Sequence, residues 1–222
     1  MKLKLIILNF LLLTTFILKA QNDKSINTTD LIFECTKYSG QLPSKQIAIW
    51  YPNDFWSIIG NQMNFPPETM NKLSNELKNY LMFAIVDYSF TSKGQLIFKS
   101  EDEISKTIIL TDSSNKKYFP LKGEEMSVGV KKIQEELKPI MEKMLGQFGV
   151  GMRIILFNAP NSNDKNTINI KQNGSFTLNW DSTNLKWKLP FYSVLSPKFC
   201  PIDNEEMKGN WNYCPEHGVE LK

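Results

Sequence analysis

Histidine and arginine are almost missing from this chain, and cysteine is scarce. Its 222 residues hold one histidine, His217, one arginine, Arg153, and three cysteines. A lone imidazole can serve only one purpose, and His217 sits in a cysteine-bearing tail. Serine or cysteine nucleophiles of the usual kind need a histidine to activate them, so that chemistry is not expected. Positive charge comes almost wholly from lysine, whose ammonium lacks the planar fork that grips phosphates and base edges bidentately. Nucleic acid is therefore excluded as the expected partner. No glycine-rich phosphate loop occurs either.

Long apolar runs are as rare. The one present, Leu5–Leu18, follows Lys2 and Lys4 and precedes Lys19-Ala20-Gln21. It is shorter than the roughly 20 residues a membrane-spanning helix needs. A charged start, a short apolar stretch and a small residue at the cut are the marks of a cleavable export signal. Residues 1–20 are read as that signal, with cleavage near Ala20/Gln21 and export to the periplasm or medium. No cysteine follows the cut to carry a lipid, and no integral span is expected after cleavage. The formal net charge of +3 equals the three leader lysines, so the exported chain carries about zero.

Residues 21–195 have the pattern of an α+β domain. Leu31–Cys35 and Gln46–Tyr51 have the composition of strands, and 52–65 is irregular but rich in large apolar groups. Pro66-Pro67-Glu68 predicts a helix start. Met70, Leu73, Leu77 and Tyr80 supply its apolar face to about Leu81. Strands are expected at 83–90, 95–98, 107–111, 117–121 and 152–157. Between the last two, Ile133, Leu137, Ile140, Met144 and Phe148 form the stripe of a second helix, interrupted by Pro139 and ended by Gly146 and Gly149. A polar loop is expected at 158–166. A hairpin is expected about Asn173-Gly174, joining strands 167–171 and 175–180, followed by a strand at 185–189. The whole predicts a mixed or antiparallel sheet carrying two main helices, plus a small C-terminal hairpin.

That hairpin, residues 196–222, holds the densest chemistry. Cys200-Pro-Ile-Asp203 and Cys214-Pro-Glu-His217-Gly218 repeat one short turn, with Gly209-Asn210 as a natural tip between them. The tail resembles the knuckles of zinc ribbons and rubredoxin-like sites, whose usual form is Cys-Pro-x-Cys-Gly twice over. That resemblance spans Lys198–Leu221 alone. It implies Cys200 and Cys214 as first ligands, Asp203 and His217 as second ligands, and a structural Zn2+. Asp203 replaces a cysteine, and Asn204 stands at the first knuckle's glycine position. Two other states fit the same residues. A Cys200–Cys214 disulfide would close a loop of about 15 residues and add roughly 3 kcal/mol. A metal-free hairpin with free thiols is the third. Cys35, in an apolar segment, is read as a buried inert thiol.

Four ligands close a zinc site, whereas a catalytic zinc keeps one position open. The expected function is therefore an exported, non-catalytic α+β protein that binds a protein or small-molecule partner. The alternative is an exported hydrolase using carboxylates in an aromatic-rich groove at Trp50–Phe65.

Overall fold

The computed structural model describes residues 26–62, 64, 66–160 and 168–222. The expected export signal lies outside these residues, as does most of the expected polar loop at 158–166. The fold is α+β, and every strand pairing among the described residues is antiparallel.

Asn27 opens the first element by accepting hydrogen bonds from the N–H groups of Thr29 and Asp30 through its side chain. Such a cap starts a helix, and Thr28–Cys35 is α1, not the strand expected at 31–35. Leu31 and Cys35, one turn apart, are buried, while Phe33 is 70% exposed. Strands β1 (Thr36–Ser39) and β2 (Ser44–Tyr51) follow, then helices α2 (Asn53–Gln62) and α3 (Pro67–Leu77). Helix α3 stops short of 81 because the long strand β3, Tyr80–Phe90, has already begun. Next come β4 (Leu96–Phe98), the short α4 (Glu101–Ser105), β5 (Ile108–Asp112) and β6 (Lys117–Tyr118). Helix α5, Val128–Leu145, accommodates Pro139 and ends at Gly146; α6 (Gln147–Gly151) and β7 (Arg153–Asn158) complete this half.

The expected hairpin at Asn173-Gly174 is displaced. Asn169 folds its own turn by accepting from the Lys171 N–H. The hairpin joins β8 (Gly174–Trp180) to β9 (Thr183–Leu189) through Asp181-Ser182 instead, with Asp181 at φ +50°. Aspartate tolerates that left-handed backbone better than most side chains, and the strand pattern on both flanks sets the register.

Two sheets face each other. The first runs β1-β2-β3, and β3 is long enough to pair β4 along its end and β7 along its start. The second runs β6-β5-β8-β9. Trp50 and Phe83 from the first meet Phe176 and Trp187 from the second, with ring centroids 4.7–6.2 Å apart. The opposite face of the first sheet is covered by helices, where Tyr51 stacks on Trp56 of α2 and Tyr88 meets Phe148 of α6. Strand β3 is thus buried on both faces, as its apolar run Leu81–Val86 requires.

A polar cluster also joins the sheets. The Lys99 ammonium lies 2.9 Å from Asp87 and 3.0 Å from Asp181. Gln46 donates to both carboxylates and accepts from the Thr183 hydroxyl. Among the described residues no helix is long and apolar enough to cross a membrane.

Candidate metal centre

The tail packs around its own small cluster of buried side chains: Cys200, Met207, Cys214 and Leu221, with Val219 beside them. Strands β10 (Lys198–Phe199) and β11 (Glu206–Met207) pair antiparallel, and Phe199 exchanges backbone hydrogen bonds with Lys222. The tip is the turn Lys208–Trp211, closed by the Trp211 N–H on the Lys208 carbonyl. Gly209 is required there: a Cβ would stand 2.2 Å from the Ser196 carbonyl oxygen. The tip rests on the body, where the Lys208 ammonium lies 4.2 Å from the Tyr192 ring centroid and the Asn210 amide donates to the Pro190 carbonyl.

The two Cys-Pro turns are the same object built twice. In the first, the Asn204 N–H donates to the Cys200 carbonyl at 2.9 Å, and the Cys200 N–H to the Glu205 carbonyl at 3.0 Å. In the second, Gly218 donates to Cys214 at 2.9 Å, and Cys214 to Val219 at 2.8 Å. The N–H groups of Ile202 and Asp203 point at the Cys200 sulfur, and those of Glu216 and His217 at the Cys214 sulfur. Asn204 has φ +60° and Gly218 φ +65°. In each turn the left-handed residue lets the chain fold back so that the next carbonyl, Glu205 or Val219, meets the cysteine N–H, and asparagine is a common substitute for glycine in that conformation.

Facing each other, the turns bring Cys200, Cys214 and His217 together, their ligand atoms all within 4.8 Å. His217 Nδ1 lies 3.4 Å from the Cys200 sulfur, 3.5 Å from the Cys214 sulfur and 3.6 Å from an Asp203 carboxylate oxygen. Glu216 reaches the same edge, within 4.8 Å of Asp203 and His217. It did not stand out in the sequence, because the C-x2-H spacing treats it as filler. The thiols are buried, whereas the His217 and Asp203 side chains are 32% and 35% exposed. The sulfurs therefore lie under a thin cover whose outer edge is His217 and Asp203.

The electrostatics follow from these contacts. Hydrogen bonding to the Cys214 sulfur, helped by the Asp203 carboxylate, raises the His217 pKa. The Glu205 N–H and the Cys200 thiol hold the Asp203 carboxyl below its ordinary value. Burial pushes both thiols up, but at Cys214 the N–H groups of His217 and Glu216 outweigh it and leave that thiol below its ordinary value. At Cys200 burial prevails. Two sulfurs supplied with N–H donors, an imidazole and a carboxylate make a donor set that suits a borderline-soft cation.

The spacing suits one as well. A tetrahedral zinc with bonds of about 2.3 Å to sulfur and about 2.0–2.1 Å to nitrogen separates a sulfur–nitrogen pair by about 3.5 Å. Both observed pairs match that separation.

The other residues singled out by the sequence fall elsewhere. Cys35 is fully buried at the end of α1, and burial, with the Glu34 carboxylate adding to it, drives its thiol pKa well up. Trp50, Phe55 and Trp56 are buried in the body core and do not line an open groove. Glu101 and Glu103 belong to exposed α4, where Glu103 closes a capping box with Ser100. Compared with family models, curated proteins and solved structures, the chain matches none.

Proposed function

We propose that Cys200, Cys214, His217 and Asp203 hold one structural Zn2+, and that residues 196–222 form a zinc-knuckle unit attached to an exported, non-catalytic α+β body. The observation that carries this is the duplicated turn: one hydrogen-bond pattern, built twice, aims two sulfurs at a common imidazole nitrogen. Core packing alone has no need to repeat such a turn. The ion would join the two halves of a unit whose buried cluster has only two non-cysteine members, Met207 and Leu221, with Val219 partly buried beside them. A unit this small usually needs a metal or a disulfide to stay folded. With four protein donors the coordination sphere is closed, so the ion holds structure and activates no water.

Metal analysis of protein purified under reducing conditions without chelator tests this. One equivalent of zinc per chain is expected, lost in both Cys200→Ser and His217→Ala. Asp203→Asn keeps zinc but weakens its binding, by about 10–100-fold if the carboxylate matters as much as a supporting residue elsewhere. Reduced protein that takes up no zinc from an equimolar solution would refute the proposal.

A further inference from the structure

We infer that Cys200 and Cys214 are a thiol-modification site, at which a small disulfide of the glutathione class converts the zinc-holding pair into a protein disulfide and frees the ion. The inference rests on the zinc reading above and adds reactivity to it. Three observations support it.

The first is reach. The sulfurs lie within 4.8 Å, and a disulfide bond is about 2.05 Å long, so neither sulfur has to advance by more than about 1.4 Å. Each sits in its own turn, and both turns belong to the tail's own buried cluster, separate from the body core. The second is access. His217 and Asp203, the cover over the sulfurs, are about a third exposed, and His217 is the side chain that touches both sulfurs. Swinging one exposed imidazole outward uncovers both. The third is isolation. Cys35 is fully buried in the other core cluster, its carbonyl bound by the Trp187 indole N–H, so it does not compete for the exchange.

The step balances as ordinary thiol–disulfide exchange. One protein sulfur attacks the reagent's S–S bond, forming a mixed disulfide and expelling one reagent thiolate. The second protein sulfur attacks the mixed disulfide, forming the Cys200–Cys214 bond and expelling the other reagent thiolate. Two electrons pass from the protein pair to the reagent. Any protons the protein sulfurs carried pass to the expelled thiolates or to water. A disulfide sulfur is a far poorer zinc ligand than a thiolate, so the ion leaves. The tail keeps a covalent link between its halves in place of the metal link.

The test uses the purified protein, reduced and assayed for zinc before any oxidant is added. Oxidised glutathione is then supplied in excess, zinc release is followed with a chromogenic chelator, and cross-linked peptides are mapped by mass spectrometry. The expected result is one equivalent of zinc released per Cys200–Cys214 bond formed. Bond formation should be unchanged in Cys35→Ser and reversed by dithiothreitol plus zinc, and, read by the cross-link alone, faster in protein stripped of metal beforehand. Zinc present at the start but retained, or lost without that cross-link, overturns the inference and leaves the zinc reading intact. Equal rates with and without metal also overturn it. No zinc at the start overturns the zinc reading and this inference with it.

Discussion

Asn204 and Gly218 occupy the same place in the two halves of the tail, and their backbones are nearly superimposable in φ. The physical demand is a left-handed residue, which costs an ordinary side chain about 1–2 kcal/mol. Gly218→Val should therefore destabilise the tail by about that amount, while Asn204→Gly should be neutral or slightly stabilising. Zinc affinity measured by chelator competition would read both. Asp112 shows another residue-scale demand. It is buried at the β5–β6 turn and accepts from the Ser114 N–H and hydroxyl, the Lys116 N–H and the Tyr118 hydroxyl. Burial raises its pKa, but these four bonds outweigh that and leave it lower than usual. A depressed folded pKa means stability that is fully present above the unfolded value of about 3.9 and lost as pH falls through the folded value. Asp112→Ala should cost about 2–3 kcal/mol at pH 7, and the gap from wild type should narrow in acid below pH ~4. Urea unfolding across pH reads the difference; a gap independent of pH would contradict the assignment.

At the scale of elements, Trp187 of β9 does the most to hold the layers together. It stacks on Phe176 at 5.0 Å, meets Phe83 edge-on at 5.6 Å and donates its indole N–H to the Cys35 carbonyl at 2.9 Å. One side chain thus joins the second sheet, the first sheet and α1. Trp187→Ala should destabilise the body by about 3–5 kcal/mol. Trp187→Phe keeps much of the packing but leaves the Cys35 carbonyl without its donor, and should cost less. Thermal unfolding of the two variants would rank them, and a reversed order would refute the packing account.

At the scale of the whole molecule, the described residues form two separate buried clusters, a large one between the sheets and helices and a small one in the tail. They meet through surface contacts at Lys208, Asn210 and Gly209. On the zinc reading, a chelator under reducing conditions should therefore loosen the tail and leave the body intact. Hydrogen exchange should show protection lost at the Asn204, Gly218 and Leu221 amides, with β3 and β8 unchanged. Loss of protection in β3 as well would mean that the two clusters unfold as one.

What the sequence determined by itself is what short-range chemistry dictates. The α+β class, the helix beginning at Pro67, the stripe through Ile133 and Leu137, and most strands followed from apolar periodicity and from proline and glycine. The nearness of Cys200, Cys214 and His217 was legible in a repeated spacing, because a Cys-Pro turn is a local object whose sulfur and second side chain are presented within one bend. Only the tertiary structure decided the rest. Leu31-Ile32-Phe33 has the composition of a strand, yet the Asn27 cap and the burial of Leu31 and Cys35 in the body core make it a helix. Asn173-Gly174 is a good turn pair, yet the sheet takes its turn at Asp181, because β8 is in register along its whole length with β9. That Glu216 stands beside Asp203, and that one histidine touches both thiols, depends on how two distant turns face each other. No spacing along the chain encodes that apposition.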